Sequence, residues 1–215
     1  MGIQGKFVAE ITRDDIEELV RTRMPEDVFT DFKETIFHNH PKPNDEIEDL
    51  LADVISFANA FGGSIIVGIQ TEDDRAAKLK PIPKADAIRI ATKLKGLTIQ
   101  HVNPPIVPLE IVPFSMSDDK RKDEWVVIVR IPEGQAKPHM SSFSNQTTFV
   151  IRDGPRKRSM TADEIQRAFL AGPLQSTLAN LFSELRAVRA LVETMNVRPS
   201  DGGDFGENMG GKRGK

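Results

Sequence analysis

Asp31-Phe32-Lys33 is the first stretch whose residue types could do chemistry. In an extended strand, residues two apart share a face, so the carboxylate and the ammonium would stand side by side. Nucleases use this geometry: the acid holds a divalent metal, and the lysine steadies a phosphate or an attacking water. Glu26, five residues before Asp31, could add a second hard oxygen ligand for Mg2+ or Mn2+. The same triplet also makes ordinary solvent-facing ion pairs, and its spacing does not separate the two readings.

A second candidate is Arg152-Asp153-Gly154-Pro155-Arg156-Lys157-Arg158, a turn with clustered cations at the end of an apolar strand. Arg and Lys on a loop fixed by a strand make a phosphate clamp, or else a plain solvated turn. Gly62-Gly63 resembles a phosphate loop only superficially: the Gly-Lys-Ser/Thr ending is missing, and the order is helix then strand. ATP therefore has no motif to bind it. His38, His40, His101 and His139 show no helical metal spacing, and no Gly-x-Ser-x-Gly supports a serine nucleophile. The chain has no cysteine, which removes thiolate chemistry, disulfides and Cys-ligated metal sites together.

The elements that must position these residues read as an α+β fold, a mixed sheet with packed helices. Thr12 N-caps a short helix to Arg21, and 28–33 is a strand. Asn44 is expected to cap a helix to about Phe61, ended by Gly62-Gly63, with a buried strand at 64–69. The next helix, 85–100, buries Ala87, Ile90, Ala91, Leu94 and Leu97 and leaves Arg89 and Lys93 one turn apart on another face. Asn103-Pro104-Pro105 stops it. Strands follow at 106–114, 125–131 and 147–152, and Thr161 caps a last domain helix, 162–170.

Residues 1–172 thus form one domain. Gly172-Pro173 opens a different segment, 173–196, where Leu174, Leu178, Leu181, Leu185, Val188, Val192 and Met195 recur at 4-3-4-3-4-3 spacing. That is an a/d seam for a second copy or a partner protein, although it could also pack back on its own domain. From 197 to 215 the composition turns Gly-rich and polar and reads as a disordered tail. The first residues lack the apolar run of a secretory signal, and no stretch is long enough to cross a membrane, so the cytoplasm is the expected address.

Net charge is −3, from 29 basic and 32 acidic residues, and that total argues for no partner. The charges are segregated along the chain, however. Residues 44–74 carry eight acids and no Lys or Arg, whereas 75–101 carry seven Lys/Arg and one acid, Asp86. A segregated chain can present a basic face to phosphates, or its charges can mix in space.

Several of these pieces, taken in order, resemble the Schlafen AlbA-like DNA-binding domain family over about residues 24–170. They are Asp31-Phe32-Lys33-Glu34 after an upstream acid, the block from Ile55 through Phe57-Ala58-Asn59-Ala60-Phe61-Gly62-Gly63 to Gly68-Ile69, and Asn103-Pro104-Pro105. Arg130-Ile131-Pro132, Lys137-Pro138-His139 and Phe149-Val150-Ile151-Arg152-Asp153-Gly154 complete the set. The resemblance implies nucleic-acid binding, with Lys33, Arg89, Lys93, Arg152, Arg156, Lys157 and Arg158 as expected phosphate contacts. For Schlafen proteins it also implies a metal-dependent RNA-cleaving site built from three carboxylates. Glu26 and Asp31 match the first two, as metal ligands. The third is expected after Gly68-Ile69, where this chain has Gln70, leaving Asp73 or Glu72 as substitutes. A non-catalytic adaptor acting through the heptad helix is the remaining alternative.

Overall fold

The computed structural model describes residue 3 and residues 6–37, 42–119, 121–145 and 147–196. His38 and His40 and the tail from 197 fall outside these. The chain divides into two units, Met1–Pro173 and Leu174–Lys215.

In the first unit, α1 (Arg13–Arg21) begins at Thr12, whose hydroxyl accepts the N–H of Asp15 while the Asp15 carboxylate accepts the N–H of Thr12. Strand β1 (Thr30–Lys33) follows. Helix α2 (Pro43–Asn59) starts one residue earlier than the Asn44 cap implied. Proline is at home in the first turn because its missing N–H has no intrahelical partner to lose. Helix α2 ends where Gly62 turns left-handed at φ 73°, its N–H donating to the Phe57 carbonyl at 2.8 Å. A Cβ on Gly62 would also stand 2.6 Å from the Glu133 backbone nitrogen, so the chain passes too closely there for any side chain.

Strand β2 (Gly63–Val67) then enters the interior, and β3 (Ile69–Glu72) and β4 (Arg75–Leu79) form a hairpin that the sequence reading missed. Its turn is Asp73-Asp74, both at φ near +54°, a backbone region that Asp tolerates better than most residues. With no Gly or Asn in the turn, this hairpin lacks the usual signal. Helix α3 (Lys84–His101) runs one residue beyond each expected end. After β5 (Val102–Asn103), β6 (Glu110–Ser115) is shorter than the 106–114 strand expected, and β7 (Trp125–Ile131) falls at the expected bounds. Strands β8 (Met140–Ser141), β9 (Val150–Asp153) and β10 (Arg156–Ser159) precede α4 (Ala162–Asn196). Helix α4 is continuous through Gly172-Pro173, where the sequence suggested a new element.

The central sheet has the order β1-β2-β7-β6, with β1 and β2 parallel and the other pairs antiparallel, so the expected mixed α+β sheet is present. Alternation along the strands sends Ile65, Val67, Val127, Val129 and Ile131 to the core under α2 and α3. Phe32, Ile66, Val126 and Ile128 go to a second core with α1, Ile69 and Ala76.

Asn59 closes the first core at the end of α2. Its Nδ2 donates to the carbonyls of His139 and Val150, both at 2.8 Å, and its Oδ1 accepts the N–H of His139 at 2.7 Å. His139 Nδ1 lies 2.7 Å from the carbonyl of Pro104, and Lys137 Nζ donates to the Ala60 carbonyl at 2.6 Å. The Asn59, Pro104, Lys137 and His139 motifs, scattered in sequence, are one hydrogen-bonded knot.

Two outcomes follow from this knot. Asn59→Ala would leave three buried backbone groups without partners and should cost on the order of 4 kcal/mol, read from urea unfolding followed by Trp125 fluorescence. The second concerns pH. Burial pushes the His139 pKa down from 6.5, the Pro104 carbonyl partly opposes this, and Lys137 adds to it. The folded protein thus keeps His139 neutral where the unfolded chain would take a proton. Its contribution is complete above the unfolded value and is lost as pH falls below it and through the lower folded value. The urea midpoint should drop over that window in wild type and much less in His139→Leu. Equal slopes would assign the effect to another group.

Candidate functional site

Strand β1 turns Asp31 and Lys33 to the same face, toward α2, as the two-residue spacing requires. The Lys33 ammonium sits 3.0 Å from Asp31 Oδ2 and 3.1 Å from Asp53 Oδ2, the latter carried by α2. Both contacts have ion-pair distances, and the attraction of opposite charges holds them. Lys157, from β10, donates to the other oxygen of Asp53 at 2.7 Å and reaches Asp49, one turn earlier on α2, at 2.7 Å. Arg152, from β9, contacts Asp31 Oδ1 at 3.3 Å and the Asp27 carbonyl at 3.3 Å, and its guanidinium lies over the Phe57 ring at 4.4 Å.

The groups are sorted by depth. The side chains of Asp31 and Asp53 are 6% and 4% exposed and that of Arg152 is 1% exposed, whereas those of Lys33 and Lys157 are 29% and 23% exposed. Burial works against charge on Lys33, but Asp53 and Asp31 outweigh it and hold the ammonium above the ordinary lysine range. Lys33 is therefore a fixed cation, not a proton acceptor. Burial drives the Asp53 pKa up, Lys33 opposes this, and Asp31 reinforces it. Glu26 is half-buried nearby. Burial raises its pKa, the Phe32 N–H at 3.0 Å lowers it, and Asp31 raises it again.

Of the residues marked out in the sequence, the fold brings Lys33 and Arg152 together around Asp31 and adds Lys157 through Asp53, with Glu26 beside Asp31. Arg152 is inside the domain and holds β9 to β1 instead of facing solvent. Arg156 is exposed on β10, while Arg158 is tied to Asp153 at 3.1 Å and Glu164 at 2.8 Å. Arg89 and Lys93 lie apart on α3. Arg89 pairs with Asp86 at 3.0 Å, and the Lys93 ammonium is 4.0 Å from the centre of the Phe37 ring. Asp73 is exposed on the β3–β4 turn, and Glu72 pairs with Arg23 at 3.2 Å.

This donor set does not fit a divalent metal as it stands. Among the described residues no three His, Asp or Glu side chains form a group that could hold an ion. Each oxygen of Asp31 already faces a cation, so a metal there would meet Arg152 and Lys33 as well.

Asp53 and Asp49 were not singled out from the sequence, yet Asp53 left a signal. It is three residues after Leu50 and four before Phe57, which puts a carboxylate on the apolar stripe of a helix. A charge there needs a buried partner.

Among solved structures, the chain is similar to the DIP2311 protein from Corynebacterium diphtheriae, a Northeast Structural Genomics Consortium target. Identity is 17% and the TM-score is 0.44, over 71% of this chain and 31% of that one. This chain thus spans about a third of the length of that structure. No curated protein matches. The family described as Schlafen, AlbA_2 matches residues 26–161, a segment running from Glu26 through β1, α2 and the sheet to the end of the β9–β10 hairpin. That segment exceeds half of the chain, and the chain belongs to the Schlafen AlbA_2 family.

Proposed function

We propose that this domain binds nucleic acid through its phosphate backbone at the rim formed by Lys33, Lys157 and Arg156. The observation that carries the reading is the depth order of the charge cluster. The carboxylates of Asp31 and Asp53 are at the bottom, and the two ammoniums reach the surface above them. Water and an approaching phosphate therefore meet cations whose counter-charges lie inside, and Lys33 stays charged throughout the physiological range. Asp49, exposed beside Lys157, is a surface pair that a phosphate can displace at little cost. Family membership supports the same reading.

One feature favours single strands. The Phe61 ring is 65% exposed, 6.2 Å from Phe29, beside Arg130 at a cavity of about 300 Å³. An open aromatic face next to a guanidinium suits base stacking, which tolerates any sequence.

Fluorescence anisotropy with labelled single- and double-stranded oligonucleotides, titrated with salt, tests both points. Affinity should fall steeply with salt, and Arg156→Gln and Lys157→Gln should each flatten the log–log slope by roughly 0.7 to 0.9, one phosphate contact apiece. Salt-independent binding, or none, removes the reading. Phe61→Ala should weaken single-strand binding about tenfold and leave duplex binding alone. Added Mg2+ or Mn2+ should leave the oligonucleotide intact. Cleavage that disappears in Asp31→Ala would replace a binding module with a nuclease.

A further inference from the structure

Beyond the domain, α4 carries an apolar stripe that no described residue of its own unit covers. Leu178, Leu181, Leu185, Val188 and Val192 are each between 51% and 56% exposed. The side chains of Leu174 and Met195, the ends of the expected seam, are outside the described residues. Phe182 and Leu191 flank the stripe and are 59% and 63% exposed. Exposing so many large apolar side chains on one helix is costly, and their spacing says what would cover them.

With Leu178, Leu185 and Val192 as a residues, Leu181 and Val188 become d residues. That register puts Glu184 at g and Arg189 at e of the following heptad. In a parallel, in-register coiled coil, the g residue of one helix faces the next e residue of the other, five positions on. Glu184 of one chain would thus meet Arg189 of a second chain, and the reverse contact forms by symmetry. An antiparallel pair instead matches g with g and e with e, bringing like charges together. The charges choose the arrangement as well as the occupant.

We propose that residues 174–196 pair with the same segment of a second copy of this chain, parallel and in register. The seam supplies the burial, Phe182 and Leu191 widen it, and the Glu184–Arg189 pairs set direction and register. This self-pairing is independent of whether the domain binds nucleic acid. It rests on the helix alone.

The chain has no cysteine, which makes the test direct. The chain of 215 residues should sediment at twice its 23.9 kDa mass, and Leu181→Lys/Leu185→Lys should return it to the single mass. These substitutions are on an exposed face outside the domain core, so the domain's circular dichroism should not change. Leu178→Cys and Val192→Cys, made separately and oxidised, should each form a disulfide-linked dimer with itself, since facing a residues lie within bridging distance. Ser183→Cys, on the outer face, should not. Glu184→Lys should weaken pairing, and adding Arg189→Glu should restore it. A single mass for the wild type overturns the proposal. So does a dimer in which Leu178→Cys cross-links only when mixed with Val192→Cys, which is the antiparallel signature.

Discussion

Two buried carboxylates that cannot be left alone hold β1, α2 and the β9–β10 hairpin of this domain together. Asp53 sits between the ammoniums of Lys33 and Lys157, and Asp31 between Lys33 and the guanidinium of Arg152. Transferring such ions out of water costs several kcal/mol each, and mutual attraction repays this only when every partner is in place. Removing one partner would strand a charge in the interior at a cost of about 3–5 kcal/mol. The cluster therefore works as a registration device. Strand β1, helix α2 and the β9–β10 hairpin satisfy it only when all three are seated together.

Asn59 plays the neutral counterpart at the other end of α2. An amide offers a donor group and an acceptor group in one plane, and here three backbone groups from β9 and the loop before β8 use both. The family's sequence blocks gain a physical meaning from this. Phe-Ala-Asn-x-x-Gly-Gly supplies the amide and the left-handed turn after it. Asn-Pro-Pro supplies a carbonyl for His139, Lys-Pro-His closes the helix end, and Ile-Arg-x-Gly drives Arg152 beneath β1. These blocks are distinctive because they record one packing solution.

That distinction explains which parts of the molecule were legible in the sequence. Periodicity and caps marked out α1, α3 and β7 to within a residue, because local hydrogen bonds and apolar stripes decide them. Pairing of Asp31 with Lys33 was readable for the same reason, being set by the two-residue period of a strand. Arg152 was not readable as an interior residue. Its partners, Asp31 and the Asp27 carbonyl, lie more than a hundred residues away in the chain, and a basic turn looks the same whether or not its first cation is buried. The β3–β4 hairpin escaped because Asp-Asp replaces the usual glycine. The run through Gly172-Pro173 escaped because those residues lower helix propensity without forbidding a helix whose flanks both favour it.

Charge segregation along the chain also reads differently in three dimensions. The acidic run of residues 44–74 includes Asp49 and Asp53, and these meet the basic β10, so opposite blocks pair instead of forming opposed faces. What reaches the solvent is decided by depth. A carboxylate has a short side chain and, fixed on a helix stripe, stays low; lysine has four methylenes and carries its charge up to the surface. Salt will screen Arg156, Arg89 and Lys93, which stand in water. It will act far less on the Lys33–Asp53 contact, most of which lies below the surface. Raising the ionic strength would therefore compete with the phosphate proposed to bind at the rim while leaving its foundation intact, so that such a partner would be released without loosening the fold that presents the lysines.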